Sequence, residues 1–190
     1  MLPIGPLMIE HRLIERMVAL IRQELERIQA NVAVDPEFAF VDPVFIDTAV
    51  DFLRTYADRC HHGKEEDILF AELDKKELSP EDRRIMAELV HEHVRAREAT
   101  AQLVKAKEDH LRQDPEALDR ILGNLSRLVE LYPGHIEKED KLFFVPIMEY
   151  FAPGEREAML AAMHEFDRQL IHEKYRTIIE AIESRRTCGI

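Results

Sequence analysis

Tryptophan is absent from this chain of 190 residues, and cysteine and glycine are scarce, at 2 and 6. The two cysteines, Cys60 and Cys188, sit far apart with no partner spacing, so neither a disulfide framework nor a thiolate zinc site is expected, and a reduced cytoplasmic setting fits best. No Gly-rich phosphate loop, nucleophile elbow or His-Glu-x-x-His motif occurs, which sets aside three large enzyme classes. Long apolar runs are also missing: none approaches the ~18 residues of a membrane span, and the N-terminus lacks the pattern of a signal peptide. Positive charge is in deficit. The 38 acidic residues outnumber the 26 basic ones, a net charge of −12, so no basic stripe is available for a nucleic acid.

What is present is helical periodicity. In the first segment Leu7, His11, Ile14, Val18, Ile21, Leu25 and Ile28 recur in steps of three and four, with Pro6 at the start. Asn31 to Pro43 reads as a loop, with Asp42 as N-cap and Pro43 as first residue of a second helix reaching about Lys76. The stripe of that helix is Ile46, Val50, Leu53, Ala57, His61, Glu65 and Ile68. Ser79-Pro80-Glu81-Asp82 starts a third helix with Met86, Leu89, Val90, His93, Ala96, Thr100, Leu103 and Val104. Asp114-Pro115-Glu116 starts a fourth, striped by Leu118, Ile121, Leu125, Leu128, Tyr132, His135, Glu139 and Leu142. Pro133-Gly134 falls inside it, yet the stripe stays in phase across the dipeptide, which predicts a kink rather than an end. A fifth amphipathic helix spans about 155–184, covering the bundle or forming a homodimer contact.

The chain repeats itself. His61-His62-Gly63-Lys64-Glu65-Glu66 and His135-Ile136-Glu137-Lys138-Glu139-Asp140 share the template His-x-x-Lys-Glu-acidic, and each copy is preceded by a helix carrying Glu-His, at Glu10-His11 and Glu92-His93. His and Glu four apart on a helix lie on one face. Two such hairpins give an all-α, antiparallel up-down four-helix bundle at about 6–150 plus the C-terminal helix, one domain in all. The inward residues are His11, His61, Glu65, His93, His135 and Glu139. His62 and Glu66 fall roughly 100–140° round the helix from His61 and are placed outside. His91, His110, His164 and His172 are placed on polar or peripheral faces; Glu66 and Asp140 are read as supporting or surface acids, and Cys60 and Tyr132 as core or supporting groups.

Two carboxylates in an apolar core cost several kcal/mol unless a cation neutralises them. Mixed imidazole and carboxylate donors suit iron, manganese or zinc. Two octahedral ions sharing one oxo or hydroxo bridge need ~12 positions, and six side chains with two bridging carboxylates leave roughly two for water or a small ligand.

On the residues just quoted, Ile9-Glu10-His11-Arg12, the two His-x-x-Lys-Glu segments and Glu92-His93, the chain resembles the hemerythrin-like, His-His-Glu cation-binding family over about residues 6–150. The resemblance implies a non-haem di-iron centre bridged by two carboxylates, with the six named residues at ligand positions. Two departures stand out. Oxygen-carrying members have a further His one turn after the third-helix ligand, where this chain has Arg97, and their last carboxylate is an Asp five residues after its His rather than Glu139 four after. His172 and Glu173 are the candidates to replace the missing ligand. The pattern is closer to members that sense oxygen or nitric oxide, handle iron, or repair iron–sulphur centres; a peroxidase- or ferroxidase-type enzyme is the alternative, and a scaffold that binds partners through the fifth helix a third.

Overall fold

Asp42 and Ser79 start helices through their side chains. The Asp42 carboxylate accepts from the amides of Val44 and Phe45 at 2.9 and 3.1 Å, and the Ser79 hydroxyl accepts from the Asp82 amide at 3.0 Å. The structure, a computed structural model, describes residues 2–35 and 39–187, with side chains up to residue 170. Among the described residues there is no strand.

Four helical rods and a fifth helix follow. The first rod is α1 (Ile4–Val34). The second begins as α2 (Pro43–Phe52), widens into the π-helical segments π1 (Leu53–His62) and π2 (Glu65–Phe70), and closes with α3 (Ala71–Leu73). The third is α4 (Pro80–Leu111). The fourth runs from α5 (Ala117–Lys138) through π3 (Glu139–Phe143) to α6 (Phe144–Ile147), and a 3-10 turn, Met148–Tyr150, leads to α7 (Pro153–Thr187). Pro133 lies inside α5, which continues through it as expected. The fourth rod starts two residues later than Pro115: Asp114 accepts from the Glu116 amide, and the helix proper begins at Ala117.

Two apolar clusters fill the interior. One holds Ile14 to Ile28 of α1, Ile46 to Ala57, Ala96 to Ala106 and Ile121 to Ile136; the other holds Ile4 and Leu7, Leu69 to Leu73, Ile85 to Leu89, Phe143 to Phe151, and Met159 and Met163 of α7. Successive rods therefore cross from one cluster to the other in alternating directions, the up-down order expected of the repeat. Each rod changes cluster at its own His. The result is a polar layer clamped between two dry ones.

The stripe of α1 is buried residue for residue as its periodicity indicates. The other rods depart in places, beginning with Val90, which was expected on the α4 stripe and is 38% exposed. Ile68 and Leu142 were expected inside, but the structure buries Leu69 and Phe70, and Phe143 and Phe144, while Leu142 is 58% exposed. Both slips fall inside a π-helical segment, π2 and π3, where bonds reach from i to i+5 and each residue turns the chain less than in an α-helix. One residue of phase is lost at the equivalent place in each copy.

Candidate metal centre

All six expected residues meet in the polar layer, each no more than 2% exposed. His11 Nε2 and His61 Nε2 face each other at 2.9 Å. Glu65 reaches His61 Nε2 with Oε1 at 3.5 Å and His93 Nε2 with Oε2 at 3.3 Å. Glu139 mirrors it, with Oε2 at 3.2 Å from His11 Nε2 and Oε1 at 3.3 Å from His135 Nε2. Each carboxylate thus offers one oxygen to each half of the layer. Two groups of atoms are close enough to hold an ion: His11, His61, Glu65 and Glu139 in one, and His62, Glu65, His93 and His135 in the other.

His62 is the residue that α-helical phase misplaces. It is 1% exposed, its ring stacked on His93 at 3.9 Å between centroids, and both its nitrogens lack a hydrogen-bond partner. The π-helical turns that end at His62 lower the rotation between neighbours, so His61 and His62 straddle the inward face instead of dividing between inside and outside. Arg97, where a further imidazole was looked for, turns outward to Asp58 and Glu66 at 2.6 and 2.8 Å. His62, on the neighbouring rod, stands beside His93 and is grouped with Glu65, His93 and His135. The side chains of His172 and Glu173 lie outside the described residues. Of the other histidines placed away from the site, His91 and His164 are exposed and His110 is half-buried.

The remaining letters of the repeat hold the imidazoles in place. Each single His is gripped at Nδ1 by the acid that follows the bridging Glu of another rod: His93 by Glu66 at 2.6 Å, His11 by Asp140 at 2.8 Å. Each repeat His is gripped by the Glu that precedes a single His: His61 by Glu10 at 3.0 Å, His135 by Glu92 at 2.9 Å. The second oxygen of Glu10 accepts from Lys64, and that of Glu92 from Lys138 at 2.6 Å. A carboxylate can only accept, so each Nδ1 donates and each Nε2 faces inward, its lone pair free wherever the ring is neutral. The Lys of His-x-x-Lys-Glu therefore orients the His that opens its own motif, through the Glu beside another rod's His.

The electrostatics lack positive charge at the centre. Burial, then repulsion from Glu65, drives the Glu139 carboxyl well above its usual range. Burial and the neighbouring His61 push His11 down to about 4, which makes a proton a poor bridge between the two facing Nε2 atoms at neutral pH. His93 goes the other way, to about 8, because Glu65 and Glu66 outweigh its burial. Eight of the nine buried side-chain polar atoms without a partner, among the described residues, belong to His62, Glu65, His93, His135 and Glu139. Buried polar groups are rarely left so. The donor set, the inward lone pairs and the cluster of orphaned atoms fit bound cations.

Fold and site together define a helical-bundle protein whose imidazoles and carboxylates are arranged to bind metal. The family model "Hemerythrin HHE cation binding domain" matches residues 2–144, and the chain belongs to that family. No curated protein matches the chain, and no solved structure does. The match ends before α7, which begins at Pro153.

Proposed function

We propose that this chain carries a non-haem di-iron centre that binds a small diatomic ligand, oxygen or nitric oxide, as a sensor or a module of stress response and iron handling. The observation that carries the reading is the set of orphaned, inward-facing donors shared by two bridging carboxylates. With His62 included, five imidazoles and two carboxylates supply about nine of the ~12 positions of two bridged octahedral ions, and a shared oxo or hydroxo group supplies about two more. About one position is left, in the half with only His11 and His61. Iron bound there would supply the redox and ligand-binding chemistry, and the protein's part is to hold Nε2 lone pairs inward and keep bulk water out. A cavity of about 90 Å³ lined by Asp58, His62, Ala96, Arg97, Thr100 and Tyr132 lies on the His62 side and is lined by neither His11 nor His61, so it flanks the filled half and not the position left open.

The test is metal analysis after anaerobic Fe(II) loading, with absorption spectra before and after oxygen and nitric oxide. The expected result is two irons per chain and a spectral change that reverses when the gas is removed. Fewer than two irons per chain overturns the di-iron reading. Steady consumption of Fe(II) and oxygen with release of ferric iron would replace ligand binding by a ferroxidase.

A further inference from the structure

The two copies of the repeat are not equivalent on their outer faces. Lys138 is gripped by Glu92 and reaches Glu88 at 3.4 Å while remaining 20% exposed. Its counterpart Lys64 is fully buried, because α7 crosses over it and Asp167 accepts from its ammonium at 2.7 Å. The thiol of Cys60, which burial pushes up to about 12 and so keeps protonated, donates to the same Asp167 oxygen at 3.3 Å. Where the second copy has Glu137, the first has Gly63, and a Cβ there would meet Phe166 Cζ at 2.8 Å. Cys60 and Gly63, both departures from the second copy, face α7. Glu10, Cys60 and Asp167 could themselves chelate an ion, but the Lys64 ammonium already bridges Glu10 and Asp167.

We infer that α7 is a strap over one half of the metal centre, and that Asp167 acts as a positioning residue for His61 through Lys64 and Glu10. This rests on the di-iron reading. Asp167 fixes Lys64, Lys64 fixes one oxygen of Glu10, and the other oxygen fixes Nδ1 of His61. The opposite half has the same chain up to Lys138, which Glu88 of its own bundle tethers. Linkage then runs both ways: α7 sets the affinity of the His11–His61 half, and an ion in that half holds α7 down.

The full chain is titrated anaerobically with Fe(II) against a competing chelator, and amide hydrogen exchange over residues 159–170 is followed with and without Fe(II). Partners that directly orient a ligand change metal affinity by roughly 10–100-fold; one contact further out, Asp167→Asn should weaken one of the two binding events by about 3–10-fold and leave the other within about 2-fold. Phe166→Ala, which loosens the seat without touching the polar chain, should act in the same direction. Glu155→Gln removes a different α7 tether, the pair with Lys76, and should change neither event. Fe(II) should slow exchange in α7 of the wild type and not of Asp167→Asn. If wild type takes up two ions and Asp167→Asn matches it, or Glu155→Gln weakens binding equally, the strap is refuted while the metal reading stands. If wild type fails to take up two ions, both fall.

Discussion

Replacing Glu139 by Gln should stabilise the metal-free protein while crippling the loaded one. Glu139 is fully buried beside Glu65, and burial and that neighbour keep it protonated in the folded chain well above the 4.5 of an ordinary Glu. An unfolded chain at pH 7 carries it ionised. Each pH unit between 4.5 and the raised folded value therefore costs the wild type about 1.4 kcal/mol. Gln removes that cost and adds about 1 kcal/mol for an imperfectly paired amide, so the balance favours Gln once the pH is more than about one unit above 4.5. In a chain of this size each net 1 kcal/mol is about 2–4 °C in melting temperature. The folded pKa is raised, so the wild type loses stability as pH rises from 4.5, and the advantage of Glu139→Gln should shrink and vanish as pH falls toward 4.5. Calorimetric melts in chelator across pH 4.5–7.5 measure it, with exposed Glu137→Gln as the comparison. Saturating Fe(II) should invert the ranking, since ligand at a hundred times its Kd adds about 2.7 kcal/mol to the wild type. A metal-free Glu139→Gln that melts lower than wild type, or an advantage that ignores pH, refutes the reasoning.

Two further outcomes follow from the same layer. His62→Leu removes an imidazole whose nitrogens make no hydrogen bond, Nδ1 standing 3.5 Å from Asp58, so it should leave metal-free stability unchanged or higher yet weaken one Fe(II) about 10-fold or more, whereas exposed His91→Leu should do neither; equal Fe(II) titrations for His62→Leu and wild type would remove His62 from the donor set. Loading at pH 7 should release protons, from His93, whose pKa is raised to about 8, and from Glu139, whose pKa is raised by burial and Glu65. The His93 contribution to metal-free stability is present below pH 6.5 and lost as pH rises through about 8, so the metal-free melting temperature should fall over that window while Fe(II) affinity rises; titration calorimetry in buffers of different ionisation enthalpy reads the proton count, and a count of zero would sink this account.

The bundle was legible because its signals are local. Asp42, Ser79 and the prolines beside them mark where rods begin, and the α1 stripe matches its buried face. The six inward residues were legible because the Glu-His and His-x-x-Lys-Glu patterns occur twice in the same order. His62 was not, and the reason is physical. A 3.6-residue period assumes that every residue turns the chain alike, and π1, π2 and π3 break that assumption where the inward donors sit. A trace of it was nonetheless in the sequence. Both copies put their large apolar pair eight and nine residues after the ligand His, Leu69-Phe70 and Phe143-Phe144, and those pairs are buried. An unbroken helix would have favoured position seven, where Ile68 and Leu142 stand. The roles of Lys64, Glu66, Lys138 and Asp140 were hidden differently, since each acts on a His of a separate segment. Only when four rods meet does the template become a rule: Lys to orient the neighbouring Glu, Glu to bridge, acid to hold the opposite His. That rule needs both copies at once, and where His62 of the first copy corresponds to Ile136 of the second, an added imidazole makes the two halves of the centre unlike.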